Sequence, residues 1–124
     1  MPNDTLEFLK TKQLKKINDN KLLKDSDLLR IIKYTDNSIF GNKCSLWNGY
    51  ITNNKSKYIN FYFNGCKIAL HRLLYLNFIG NLHDNIYLSY TCENPGVCCN
   101  INHFGIKKNK IKNNIKKNTV EFDL

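Results

Sequence analysis

The sequence predicts a small α+β domain in which two helices precede an antiparallel hairpin and a metal staples the far end of the chain. Three observations predict it. Cys92, Cys98, Cys99 and His103 fall close together in a loop broken by Asn94-Pro95-Gly96. Thiolates and an imidazole at such spacing are what a tetrahedral zinc site needs, and Cys44 is the candidate for a ligand from far upstream. Asn64-Gly65 lies between two runs rich in β-formers, the strongest short hairpin signal, because a type I′ turn needs positive φ at both central residues. Finally, apolar residues recur at helical spacing over the first forty residues and change to strand-like spacing from Cys44 onward.

Length and composition bound the rest. A chain of 124 residues makes one domain. Its apolar content is 42%, much of it aromatic, so a metal would reinforce a modest core. The net charge of +9 points to a polyanionic partner, nucleic acid ahead of an acidic membrane or protein surface; the plain alternative is a lysine-solvated surface. Almost all of that charge is lysine, since only Arg30 and Arg72 are arginine. Alanine occurs only at Ala69, while Asn, Lys and Ile abound, a bias expected of an AT-rich genome such as that of a large DNA virus, a slime mould or an intracellular parasite.

Five cysteines leave one unpaired in any disulfide scheme. The first residues, Met1-Pro2-Asn3-Asp4, are polar, and no apolar run has membrane-spanning length. The expected location is therefore intracellular, in nucleus, cytoplasm or a viral particle or factory, and not secreted. A reducing compartment favours metal over disulfides.

Taken in order, Asp4 or Thr5 caps a first helix carrying Leu6, Leu9, Leu14 and Ile17. A second helix starts near Ser26 and turns Leu28, Leu29, Ile31, Ile32 and Tyr34 inward. Residues 44–51, with Trp47 and Tyr50, read as a strand, 52–57 as a polar turn, and 58–63 and 66–70 as the arms of the Asn-Gly hairpin, so that 44–70 forms a small antiparallel sheet. Cys66 in that hairpin reads as a core or surface thiol rather than a ligand. A short helix follows at 71–78, closed by Gly80, and residues 86–90 form a further strand leading into the cysteine loop. Residues 106–118 then place Ile111 and Ile115 on one helical face with lysines elsewhere. Residues 1–40 are expected as an N-terminal helical extension, 41–118 as the zinc-binding domain and 119–124 as a tail.

Several stretches, in this order, resemble the HNH / His-Cys-box (His-Me finger) homing endonucleases that carry a zinc-binding loop. They are Cys44-Ser45-Leu46-Trp47-Asn48-Gly49-Tyr50, Phe61-Tyr62-Phe63-Asn64-Gly65-Cys66 running on to His71-Arg72-Leu73-Leu74-Tyr75, Phe78-Ile79-Gly80, and the loop ending Cys98-Cys99-Asn100-Ile101-Asn102-His103. The resemblance covers roughly residues 28–117. It implies a zinc-stabilised ββα-metal, HNH-like fold with zinc on Cys44, Cys92, Cys98 and His103. Because the loop has one extra residue between Cys92 and Cys98, Cys99 stays open as the alternative to Cys98.

In that family a histidine two residues before the first loop cysteine, usually after an aspartate, activates water against a phosphodiester, and a residue of the next helix holds Mg²⁺. The matching positions here are Ser89 and Tyr90. Tyrosine has a reference pKa near 10, so it is a poor base at neutral pH. Asn109, Asn113 and Asn114 lie near the expected Mg²⁺ position, none at the usual offset from His103. His71, which the resemblance makes structural, and His83, in a turn ahead of the strand, are poor substitutes for the missing base.

The expectation is thus a nucleic-acid-binding zinc protein derived from such an endonuclease and catalytically inactive, a pseudoenzyme. Zinc would be structural, and Mg²⁺ would matter only in an active enzyme. Lys107, Lys108, Lys110, Lys112, Lys116 and Lys117, with Arg72, are the candidate phosphate contacts, because such contacts need only positive charge. DNA is expected ahead of RNA as partner, a protein or ribonucleoprotein assembly and a homodimer stay open, and no membrane partner is expected. The rival readings are an active Mg-dependent DNA endonuclease with a displaced base and a structural module of a viral or ribonucleoprotein particle.

Overall fold

The computed structural model describes residues 4–52, 58–83 and 85–108. Their order is helix α1 (Leu6–Lys12), a 3₁₀ turn (Asp19–Lys21), helix α2 (Asp25–Tyr34), strands β1 (Asn60–Phe63) and β2 (Cys66–Ala69), helix α3 (Leu70–Phe78), strand β3 (Ile86–Tyr90), a second 3₁₀ turn (Ile101–His103) and strand β4 (Phe104–Lys108). Two antiparallel pairs result, β1 with β2 and β3 with β4. The arrangement is a small α+β fold with antiparallel hairpins.

Helix α3 is the element around which the others collect. It starts directly from β2, with the Leu70 N–H bonded to the Ile59 carbonyl at 2.9 Å. Leu70, His71, Leu73, Leu74, Tyr75, Asn77 and Phe78 are all buried, so nearly its whole circumference faces protein. Leu9 of α1, Leu28 and Ile31 of α2, and Phe61 and Phe63 of β1 join it in one apolar cluster that continues through Ile39 and Trp47 to Cys99 and Ile101. Each fully buried Leu or Phe of this kind contributes about 1.5–3 kcal/mol. The N-terminal helices therefore pack on the domain, as their amphipathic spacing predicted.

The Asn64-Gly65 turn has φ of 51° and 79° at its two residues, the conformation the dipeptide predicted. Register follows, with Tyr62 opposite Lys67 and Phe61 opposite Ile68. Thr5 is the cap of α1, its Oγ1 accepting the Phe8 N–H at 3.1 Å, whereas Asp4 accepts from Ser38 Oγ at 2.6 Å and the Ile39 N–H at 3.0 Å.

Four expectations need correction. Helix α1 ends at Lys12, short of Leu14 and Ile17. The chain is drawn off the helical path because Gln13 Nε2 donates to Asn77 Oδ1 at 2.8 Å and the Leu14 N–H to the Asn77 carbonyl at 2.8 Å. Leu29 is 51% exposed, since α2 turns Leu28 and Ile31 to the core. Residues 44–51 do not form a strand of a sheet with the hairpin; they make only the isolated bridges Thr35–Trp47 and Leu46–Cys98. Their backbone is shared among unrelated partners, with Trp47 N–H donating to the Val97 carbonyl and Asn48 N–H to the Tyr34 carbonyl.

The fourth correction concerns the lysine-rich end. Phe104–Lys108 is a strand, not the start of a helix over 106–118, because it closes the hairpin with β3 through the pairs Tyr90–Phe104, Ser89–Gly105, Leu88–Ile106, Tyr87–Lys107 and Ile86–Lys108. The remainder of that expected helix and the tail at 119–124 lie outside the described residues.

Candidate metal centre

Residues 91–103 connect β3 to β4, and the backbone keeps the hairpin closed beyond the strands, with the Thr91 N–H donating to the His103 carbonyl at 2.9 Å. Cys92 therefore leaves one arm as His103 enters the other. The turn at Asn94-Pro95-Gly96 reverses the chain, with Gly96 at φ 80° and the Val97 and Cys98 N–H groups both on the Asn94 carbonyl. Cys98 is thereby brought back under Cys92. The upstream segment is fastened to the same loop from outside, since the Cys99 N–H donates to the Ser45 carbonyl at 2.6 Å, which delivers Cys44.

Cys44, Cys92, Cys98 and His103 present four ligand atoms that all lie within 4.8 Å of one another. His103 Nδ1 is 3.6 Å from the Cys44 Sγ and 3.4 Å from the Cys98 Sγ. In a tetrahedron with metal–sulfur bonds of about 2.3 Å and a metal–nitrogen bond of about 2.0–2.1 Å, a sulfur and a nitrogen stand roughly 3.6 Å apart. The donor set thus has the spacing of a four-coordinate site that can hold a metal ion.

The surroundings orient these ligands. His103 Nε2 is 3.0 Å from the Asn42 carbonyl and can only donate to it, which leaves the lone pair of the neutral ring on Nδ1, toward the thiols. Asn94 Nδ2 donates to the Cys44 Sγ at 3.2 Å, and that bond holds the Cys44 thiol below its ordinary range. The Asn100 N–H points at the Cys98 Sγ at 3.4 Å. Burial pushes the Cys98 thiol up to about 12, so a bare thiolate there is unfavourable without a cation. Asn100, fully buried, donates from Nδ2 to the carbonyls of Gly41 and Lys43, which fixes the strand of chain just before Cys44.

Cys99 is not part of this set. It is buried with Ile101 in the apolar cluster, and burial pushes its thiol up strongly. Cys66 is exposed on the β1–β2 hairpin.

The other expected site residues are scattered. Tyr90 ends β3, half-buried, with its ring edge-on to His71 at 5.2 Å and to Phe104 at 5.8 Å. Its phenol is pushed up to about 12, first by burial and then by the neighbouring cysteines. His71 is buried in α3, its Nε2 2.8 Å from the Cys98 carbonyl, so it braces the cysteine loop; burial holds its pKa down at about 4. His83 lies before Ile86, at the other end of β3 from Tyr90, which separates the two by roughly 13 Å or more of strand. Arg72 donates through Nη1 to the Ile86 carbonyl and through Nη2 to the His83 carbonyl, so it pins the start of β3. Lys107 and Lys108 stand in β4 opposite Tyr87 and Ile86. Asn109, Asn113, Asn114, Lys110, Lys112, Lys116 and Lys117 lie outside the described residues.

No family model matches the chain. No solved structure matches it either. A protein of Acanthamoeba polyphaga mimivirus, itself described as uncharacterized, is similar. The two are 48% identical over 118 residues. That match takes in 91% of this chain and 34% of the mimivirus protein, so the chain spans about a third of the length of this relative. A viral relative accords with the lysine- and asparagine-heavy composition. No helix among the described residues is long and apolar enough to cross a membrane.

The residues that sequence reasoning missed here are Asn94, Asn100 and the Asn42 carbonyl. Asparagine is so frequent in this chain that three more near the cluster carried no signal. The one available cue was that Asn94 precedes the Pro95-Gly96 turn.

Proposed function

We propose that the chain is a zinc-stapled nucleic-acid-binding domain, derived from an HNH-like endonuclease and no longer able to cut. The observation that carries this reading is the pairing of a closed Cys44/Cys92/Cys98/His103 set with Tyr90 at the end of β3. Three thiolates and an imidazole are soft and borderline ligands that suit Zn²⁺, and all four positions are supplied by protein. A site filled in this way leaves no position for a metal-bound water, which makes it a structural centre rather than a catalytic one.

The reading without catalysis rests on the side chains around the hairpin. A phenol at about 12 keeps its proton at neutral pH and accepts none from water. His71 commits Nε2 to the Cys98 carbonyl, and its ring is buried against Phe104 and closed to a substrate the size of a phosphodiester. Binding requires much less than cleavage. Seventeen lysines and two arginines against ten acidic residues provide the long-range attraction for a phosphate backbone.

The test is a plasmid assay with the zinc-loaded chain, run beside a binding titration on duplex DNA. Binding should fall steeply and linearly with log salt, and Mg²⁺ or Mn²⁺ should give no nicking. Cleavage that Tyr90→Phe reduces would replace this reading with that of an active endonuclease. A native chain that binds no DNA, or contains no zinc, would remove it.

A further inference from the structure

We propose that a cleft on the other side of α3 from the metal cluster's loop binds a single nucleotide, with the phosphate on Lys21, Arg72 and His83 and the base on an apolar floor. The proposal deepens the nucleic-acid reading and rests on it for its biological setting, though not for its chemistry. The cleft has a volume of about 310 Å³ and lies between the Asp19–Lys21 turn, β2, α3 and the loop that carries His83. That is near the lower end of ligand-binding sites, which run from about 300 Å³ upward. It accommodates one nucleotide and not a stacked run of them.

The lining selects this class of ligand. Among the described residues it holds Lys21, Arg72 and His83 and no carboxylate. Below them Ile68, Leu76 and Leu82, each half-buried, give an apolar surface of the kind a ring can cover. A cationic rim over an apolar floor matches a molecule that joins a phosphate to a flat, weakly polar base. Arg72 is the anchor of the rim. Its two terminal nitrogens are held by the Ile86 and His83 carbonyls, so the guanidinium is placed before a ligand arrives, and three of its five N–H donors stay free of those bonds. A charge fixed in advance loses little side-chain entropy on binding. Lys21 is positioned through its backbone, whose carbonyl accepts from Asn77 Nδ2 at 2.9 Å, so its side chain is not needed for the fold.

Ile86, whose carbonyl Arg72 holds, pairs with Lys108. The end of β4 at Lys108 is therefore one strand away from the carbonyl that holds Arg72. A free mononucleotide and an unpaired nucleotide of a strand share the chemistry that the cleft would read.

Amide chemical shifts of the zinc-loaded full chain test the proposal, with AMP, inorganic phosphate and a short single strand of DNA as probes. AMP should move the amides of Lys21, Leu76, Leu82 and His83 to saturation. Lys21→Glu and His83→Ala, which leave both Arg72 clamps in place, should each weaken AMP by about tenfold or more, the loss of one charge-assisted contact. Competition by the DNA strand at the same amides identifies a strand nucleotide as the ligand, while saturation by AMP alone identifies a free nucleotide. Inorganic phosphate binding as tightly as AMP would overturn the base subsite. Unmoved amides with every probe would overturn the cleft altogether. If the strand binds while AMP leaves these amides unmoved and Lys21→Glu changes nothing, the cleft fails and the proposed function stands; if AMP saturates while no DNA binds, the proposed function fails and the cleft stands.

Discussion

Cys98 and Cys99 are adjacent, both fully buried and of the same type, yet they face opposite surroundings. Cys98 Sγ lies 3.4 Å from His103 Nδ1, while Cys99 is packed with Ile101 in the apolar cluster. Cys98→Ser should therefore abolish stoichiometric zinc, and Cys99→Ser should keep it while destabilising the fold by about 1–3 kcal/mol, the cost of a poorly partnered buried hydroxyl. Metal content of the two purified variants decides the matter; zinc retained by Cys98→Ser and lost from Cys99→Ser would reverse the assignment. His71 gives a second measurable consequence. Folded, it takes a proton only near pH 4; unfolded, near 6.5. Between those values the unfolded chain binds the extra proton, so stability is full above 6.5 and is lost as pH falls toward 4, by about 3 kcal/mol at most. Release of an ion bound at the cluster would add to the loss in that window, so the useful comparison is with His71→Gln, which keeps a donor for the Cys98 carbonyl. Its stability should fall less steeply with pH in urea titrations, and parallel slopes would exclude His71 as the source. The four side chains of the candidate metal cluster were legible in the sequence because thiols and imidazoles are scarce in this chain. Asn77, whose amide bonds Gln13, Leu23, Lys21 and Leu73 at once, was not, because asparagine is everywhere in it.

Strands and helices were legible in proportion to how local their causes are. The Asn64-Gly65 hairpin needs only two residues that tolerate positive φ, and it formed where the dipeptide stood. Helix α3 follows from a short, dense apolar run. The lysine-rich end went astray for the opposite reason. Ile106 belongs to β4 through pairing with Leu88, a partner eighteen positions upstream that helical spacing does not see. Residues 44–51 failed in a third way. Trp47 and Tyr50 have strand propensity, but this stretch is pulled toward α2 on one side and the cysteine loop on the other, and Cys44 is held at the metal cluster. Gly49 shows how tightly it is seated. A Cβ there would fall 2.6 Å from Trp47 Nε1 and 3.0 Å from the indole ring behind it, and that ring is buried and cannot swing away. Gly49→Ala should cost about 1–3 kcal/mol in a urea melt, the usual penalty for overpacking. Gly41→Ala, with nothing within 4 Å of the added methyl, is the control and should be near neutral. Equal stability of the two variants would mean that the Trp47 ring gives way.

At the scale of the molecule, the apolar core and the Cys44/Cys92/Cys98/His103 cluster hold different parts. The apolar cluster is centred on α3, with α1, α2 and the β1–β2 hairpin around it. By contrast, no residue of β3 is fully buried; it is covered in part by the His71, Tyr90 and Phe104 rings, which meet edge-on within 5.8 Å of one another. What closes the β3–β4 hairpin at its loop end is the cluster itself, since Cys92 stands at one arm, His103 at the other, and Cys44 ties both to the segment that threads past α2. A bound ion here would substitute for apolar area that a domain this size cannot supply everywhere. Removing it should therefore act unevenly. Chelation should lower the melting temperature and speed hydrogen exchange at Tyr87, Ser89 and Gly105, whose amides belong to the hydrogen-bonded pairs of the hairpin, by orders of magnitude, because these amides then open without global unfolding. Leu73 and Leu74 in α3 should lose much less protection, since their cover is apolar and stays in place. The expected pattern is a chain that keeps its helices while the hairpin and the threaded segment fray. A uniform loss of protection along the chain would show that the cluster and the core unfold as one unit. Unchanged exchange after chelation would show that the ion holds nothing, and the hairpin would then owe its closure to the three rings alone.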